Sequence, residues 1–164
     1  METVFSPGHN GARHDMKVLK HIPRVSDDQA CFGAKLGLDL RGCTLSVAAA
    51  RIEDAVDIGF RRASSLGNPT AKQIAFAAKF GHDIAGLSRR EGDAVIDDLM
   101  TELNYETIEA EGLAPGVAVV NIHDVIGRTF VISSIHPDGT VYFRGGNGQR
   151  AWARSLRRAD VTSE

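Results

Sequence analysis

Apolar residues recur at helical spacing along the first two thirds of the chain and at strand spacing along the last third. Phe32 and Leu36 stand four apart, as do Phe76 and Phe80, and each pair shares one helix face. Ser26 and Thr70 lie ahead of these pairs, each with glutamine three residues on. That is a capping box, in which the hydroxyl takes a first-turn N–H and the glutamine reaches back. Gly37 and Gly81 then stop the helices, since glycine enters the left-handed conformation cheaply. Short linkers follow, Leu38–Cys43 and His82–Leu87, expected to be extended. Thr44 and Ser88 cap a second pair of helices, Ser88 with Glu91 at the capping-box position. Ile52, Val56 and Phe60 form the apolar stripe of one, and Val95, Ile96, Leu99, Met100 and Leu103 that of the other.

The two helical stretches are copies of one unit. Shifted by 44 residues, Ser26–Val56 lies on Thr70–Met100 without a gap, and ten of the 31 pairs are identical. Average residue usage yields about two by chance. Phe32/Phe76, Gly37/Gly81, Gly42/Gly86 and Asp54/Asp98 are among the identities, and Pro69 marks the boundary between copies. The repeat predicts equivalent core roles for Phe32 and Phe76. It also predicts that Cys31 and Cys43, which align with Ala75 and Leu87, are small buried residues.

A glycine-stopped helix, the linker Asp83-Ile84-Ala85-Gly86-Leu87-Ser88 and an apolar second helix ending in Ile96-Asp97-Asp98-Leu99 resemble the helix–extended–helix family that includes SAP and LEM domains. The resemblance covers both copies. It implies DNA contact by basic residues near the start of the second helix, where the second copy has Arg89 and Arg90 and the first has Leu45 and Ser46. LEM-type members bind proteins instead.

After Gly112 the pattern becomes β. Gly116–Asn121 and Arg128–Ile135 read as strands. His136-Pro137-Asp138-Gly139 is a hairpin turn, and Thr140–Phe143 returns. Gly145-Gly146-Asn147-Gly148 is a second turn rather than a phosphate loop, for it lacks the Gly-Lys-Ser/Thr ending. Gln149–Ala153 follows, then a single helical turn within Arg154–Arg157 and a last short strand. The meander resembles in shape an SH3-like barrel of the Tudor or KOW kind. The expected fold class is therefore α+β: two tandem helix–linker–helix repeats and a C-terminal small antiparallel SH3-like β-barrel. The expected divisions are a flexible arm over 1–25, repeats over 26–62 and 70–108, and the barrel over 113–164.

Charge sharpens the functional expectation. The net charge is −2, but residues 1–25 carry +2, residues 26–112 carry −6 and residues 113–164 carry +2. Arg144, Arg150, Arg154, Arg157 and Arg158 cluster near Tyr142, Phe143 and Trp152, a composition that suits phosphates and stacked bases. The aromatics could equally fill the barrel. Together with Arg89, Arg90, Lys72 and Lys79 in the second repeat, Arg144, Arg150, Trp152, Arg154, Arg157 and Arg158 form the expected nucleic-acid contact set. The expected function is a non-enzymatic nucleic-acid-binding accessory protein, with DNA the foremost partner. The alternative is an adaptor or inhibitor presenting an acidic helical surface to a basic protein partner, in the extreme as a nucleic-acid mimic. No catalytic set, cofactor or metal site is expected. His9, His14, Asp15 and His21 match no standard zinc spacing, and no CxxC motif is present. The apolar runs are too short to span a bilayer and no signal core stands at the N-terminus, so a cytoplasmic location without membrane contact is expected.

Overall fold

The structure, a computed structural model, describes residues 16–61 and 65–160. Four helices, α1 (Asp27–Lys35), α2 (Leu45–Gly59), α3 (Ala71–Ala78) and α4 (Arg89–Glu111), precede five strands. The strands are β1 (Ala118–Asn121), β2 (Thr129–Ile135), β3 (Thr140–Phe143), β4 (Arg150–Trp152) and β5 (Leu156–Arg158). No helix among the described residues is long and apolar enough to cross a membrane.

The repeat is visible in the backbone. The four helix caps, Ser26, Thr44, Thr70 and Ser88, fall in pairs at the same shift as the sequence. Both bonds of the capping box form at Ser26/Gln29 and at Thr70/Gln73. α1 and α3 also end alike. Leu38 N–H donates to Gly33 O at 2.9 Å and His82 N–H to Ala77 O at 3.1 Å, closing the last turn over glycines at φ 77° and 75°. The linkers are turned rather than extended, at Arg41-Gly42 and Ala85-Gly86. The reason is packing: each linker drives one buried side chain, Leu40 or Ile84, under its helix pair.

α2 and α4 run antiparallel, and their contacts are reciprocal. The Thr44 and Ser46 hydroxyls both donate to Asp98, Thr44 at 2.5 Å. In the related position, Ser88 and Arg90 donate to Asp54, Arg90 at 2.8 Å. Each N-cap hydroxyl is thereby held by a buried aspartate from the other copy. Between these two ends, Arg51 Nε meets Glu91 at 2.6 Å, while at the positions related by the repeat Val47 packs with Val95. Glu91 is committed to Arg51, so the capping box expected at Ser88 is half made: Ser88 accepts the Glu91 N–H at 3.1 Å, and the glutamate side chain points to α2.

The copies differ in how their first helices dock. Phe76 packs in the cluster of Ala77, Ile84 and Leu99, with its ring 5.2 Å from that of Phe80. Phe32 is 47% exposed, against expectation. α1 approaches through Gly33, where Leu40 Cδ1 occupies the space a Cβ would need, at 2.4 Å. Adjacent helix positions point about 100° apart, so docking through Gly33 leaves Phe32 on the flank. Cys31 is likewise exposed, correcting the expected burial; Cys43 is buried, with the Arg51 guanidinium 3.3 Å from its sulfur. Phe60, expected in the α2 stripe, is also exposed. Phe76→Ala is accordingly expected to destabilise by about 3 kcal/mol and Phe32→Ala by under about 1 kcal/mol, a contrast that urea melts of the two variants measure directly.

Residues 16–25, assigned from sequence to a flexible arm, are fastened to both copies: Val25 N–H donates to Cys43 O at 3.1 Å and Pro23 O accepts from Leu45 N at 2.8 Å in the first, and residues 17–22 lie on the second. Lys17 N–H donates to Phe80 O at 2.8 Å, Leu19 joins the Ile84–Leu99 cluster, and Ile22 is buried. His21 stacks on Tyr105 at 5.2 Å, with Nδ1 2.9 Å from Glu102 and Nε2 2.7 Å from Glu109. The hydrogen bonds to Glu109 and Glu102 raise the His21 pKa above its ordinary value, against the opposing effect of burial. Burial alone would raise the carboxyl of Glu102, but the His21 backbone and ring N–H groups bring it below its usual range. The raised histidine contributes stability that is fully present below the unfolded-state pKa of about 6.5 and lost as pH rises through the folded value. Melting temperature is therefore expected to fall as pH rises from 6 to 8 by more in the parent than in His21→Gln, whose curve should be flatter. Parallel curves would remove His21 from the account. His9, His14 and Asp15 lie outside the described residues.

The strands form one antiparallel sheet in the order β4-β3-β2-β1-β5. A 3-10 turn, Ala153–Ser155, carries the chain from β4 to β5. No ladder joins β4 to β5, so the hydrogen-bonded sheet is open. Its inner face buries Val119, Ile132, Val141, Ala153 and Leu156 with Leu113. Ile108, from the last turns of α4, packs on the same cluster, so α4 belongs to both halves of the molecule. Asn104, fully buried, makes the junction: its Nδ2 donates to Asp138 O at 2.9 Å and its Oδ1 accepts from Arg154 N at 3.2 Å. The neighbouring Tyr105 hydroxyl donates to Pro137 O at 2.8 Å.

Candidate nucleic-acid interface

Strand alternation separates the aromatics of the sheet. Val141 and Phe143 point inward, and Phe143 stacks on Phe130 at 4.7 Å within the core. Tyr142 and Trp152 point outward. Tyr142 pairs with Arg150 across β3 and β4, and Thr140 pairs with Trp152, which places these four side chains on one face. His136, just beyond β2, adds its ring 4.5 Å from Tyr142. The two uses open to the aromatics in the sequence are thus divided: Phe143 fills the core and Trp152 stands 41% exposed.

Two guanidinium groups lie on this face. Arg150 sits 5.9 Å from the Tyr142 ring centroid and 3.3 Å from its hydroxyl. Arg154, in the 3-10 turn, lies 5.1 Å from the Trp152 centroid. Asp138, Thr140, Tyr142, Arg150, Ala151 and Trp152 line a cleft of about 470 Å³. Burial works against the ionised form of Asp138, but the Thr140 N–H and hydroxyl hold its carboxyl below the usual range.

The other residues of the expected contact set lie elsewhere. Arg144 is exposed just past β3, its guanidinium near Gly116. Arg157 and Arg158 lie on β5, at the far edge of the sheet order from β4. Arg157 is 3.5 Å from Glu111, whose other oxygen accepts the Arg158 N–H at 3.0 Å. Arg154 is partly structural, since its backbone N–H and its guanidinium both donate to Asn104 Oδ1. In the second repeat Lys72 and Lys79 are exposed on or just beyond α3. Arg89 is exposed, 4.0 Å from Asp93. Arg90 is enclosed by carboxylates, 3.3 Å from Glu53, 2.8 Å from Asp54 and 2.9 Å from Asp57, and it ties α4 to α2. The structure therefore gathers Arg150, Trp152 and Arg154 into one site and disperses the rest.

No protein-family model, curated protein or solved structure significantly matches this chain.

Sequence inspection missed His136, Asp138 and Thr140, because a hairpin reads as turn chemistry until the pairing of its strands is known. The period-two alternation of Tyr142 against Phe143 was the available signal. The acidic middle of the chain is also clarified. Asp54, Asp98, Glu91, Glu102, Glu109 and Glu111 all hold partners within the molecule, so much of the −6 charge is spent on internal bonds. Asp97 lacks such a bond among the described residues, and burial, with Asp93 and Asp98 nearby, raises its pKa. No group of three or more histidine, cysteine or acidic residues able to hold a metal occurs among the described residues.

Proposed function

We propose that this protein is a non-enzymatic nucleic-acid-binding accessory protein whose contact surface is the outer face of β2, β3 and β4. The observation that carries the reading is the exposed Trp152 beside the Tyr142–Arg150 pair, with a second guanidinium on the tryptophan ring. Aromatic faces stack bases of any sequence, and arginine adds phosphate pairing. The strand order, with β1 between β2 and β5, and the 3-10 turn before β5 support a small SH3-like barrel as the scaffold. The helix pairs then serve as its support and offer the separate exposed cations Lys72, Lys79 and Arg89, in keeping with their likeness to helix–extended–helix repeats.

Fluorescence anisotropy with labelled DNA and RNA at two salt concentrations tests the reading. Trp152→Ala and Arg150→Ala should each weaken binding about tenfold with little change in melting, since stacking on one aromatic is worth roughly 1–3 kcal/mol. Arg154→Ala is a poorer probe, because it also removes bonds to Asn104. Folded protein that binds neither nucleic acid at low salt ends the proposal.

A second reading, a protein-binding adaptor, rests on a separate feature. The β1–β2 loop exposes Val125 fully and Ile126 at 79%, and Asp124 fixes the loop by accepting from Ile126 N, Arg128 N and Arg128 Nε. Two adjacent exposed apolar side chains held on a fixed loop offer a small contact surface to a protein partner. A partner recovered after nuclease treatment, and lost in Val125→Ser, would move the weight to this reading.

A further inference from the structure

We infer that the cleft between Tyr142 and Trp152 takes one unpaired nucleobase of a single strand, stacked on Trp152, and that Asp138 selects a base bearing an exocyclic amine. The inference rests on the nucleic-acid reading above and goes beyond it in naming strand form and base class.

Strand form follows from what the site offers. Its binding surface is the face of an aromatic ring, and a base can meet that face only when it has left a duplex stack. Duplex binding relies instead on many neutralised phosphates, and here the cations are few. Arg150 is free of carboxylates among the described residues, Arg154 is half committed to Asn104, and Arg90, at the start of α4, is enclosed by three carboxylates. Two phosphate contacts on a single strand give a log–log salt slope of only about 1.4, where a duplex protein with six or more contacts exceeds about 5. The N-caps of both long helices are tied to each other's aspartates.

Size and charge set the ligand within the cleft. A volume of about 470 Å³ holds one nucleotide rather than a run of them. The aromatic lining could in principle cage an organic cation, but a guanidinium already lies against each ring, Arg150 on Tyr142 and Arg154 on Trp152. A further cation would meet two like charges at the place it must stack. A neutral base with an anionic phosphate meets the same charges favourably.

Base class follows from Asp138. It is the one carboxylate lining the cleft, and an ionised carboxylate only accepts. Cytosine, adenine and guanine present amine donors. Thymine and uracil lack an amine and present a single N3–H between two carbonyl oxygens, which a carboxylate repels. The alignment of Asp138 is fixed from below: its side chain accepts the Thr140 N–H, and its own carbonyl accepts from buried Asn104.

The test uses the full chain and the fluorescence of Trp152, the only tryptophan. The probes are fifteen-residue oligo(dC), oligo(dA) and oligo(dT), and a DNA hairpin of equal charge. Oligo(dC) and oligo(dA) are expected to quench Trp152 and to bind about tenfold more tightly than oligo(dT), one good hydrogen bond being worth about that factor. Asp138→Asn, which offers an amide donor in place of a carboxylate oxygen, should erase that preference or reverse it. Four results would overturn the inference: a hairpin that binds as tightly as the single strands, binding that leaves Trp152 fluorescence unchanged, equal affinity for dT and dC, or quenching by a trimethyllysine peptide but by no oligonucleotide. Hairpin binding without quenching leaves the broader nucleic-acid reading standing. Failure of every oligonucleotide to bind folded protein at low salt removes both.

Discussion

Gly139→Val is expected to abolish the folded junction between the sheet and α4. Gly139 is buried at φ 82°, and a Cβ there would lie 2.2 Å from the Asn104 Cβ, itself in a fully buried residue. A β-branched residue resists the left-handed conformation, and the helix backbone behind Asn104 cannot retreat without breaking the bonds to Asp138 and Arg154. The combined strain and overlap should exceed about 4 kcal/mol, a large share of the stability of a domain this size. Asn104→Ala keeps that Cβ but removes the bonds that join α4 to the turn and to Arg154; we expect a loss of about 2–3 kcal/mol. Thermal melting followed by near-ultraviolet circular dichroism, where Trp152 reports on the junction, measures both. A Gly139→Val protein that melts like the parent would show that α4 and the sheet are not held through this contact.

Asp98→Ala should cost about 3 kcal/mol, because it leaves the hydroxyls of Thr44 and Ser46 without their acceptor in a buried place. Asp54→Ala should cost less. Its loss frees Ser88, but Arg90 keeps Glu53 and Asp57. The two aspartates are identical in the repeat and unequal in surroundings, so urea denaturation of the pair gives a sensitive check. A Thr44→Val/Asp98→Ala cycle should show coupling between the two sites. Equal costs for the two aspartates would mean that the enclosing carboxylates around Arg90 contribute nothing at the interface.

The sequence made the helices legible because each was announced by a local device: a hydroxyl cap, a glutamine three residues on, a glycine stop. Such signals act within one turn of chain and need no tertiary knowledge. The strands were legible for a similar reason, from Asp138-Gly139 and from the alternation of Val141, Tyr142 and Phe143. What the sequence hid was partnership. Phe32 and Phe76 are the same residue in the same motif, yet only one is packed, because Gly33 and Ala77 let their helices approach at different depths. Arg90 looked like a free basic residue at a helix start, and the three carboxylates around it come from α2, some 35 residues earlier. The cleft joins β3 to β4 across a glycine turn, so Asp138 and Trp152 meet only once the register is set.

The exchanged aspartates have a consequence for assembly. A surface whose element i meets element j while j meets i is self-complementary, the condition for an isologous two-fold dimer. Here both halves of that interface reside in one polypeptide, joined by the stretch around Pro69. One copy already carries the hydroxyl cap and the aspartate that the other requires. The same surfaces can therefore close between chains when the connection no longer lets them close within one. If the connection between α2 and α3 is shortened, the copies should recombine across two molecules into a domain-swapped dimer that keeps every contact described above.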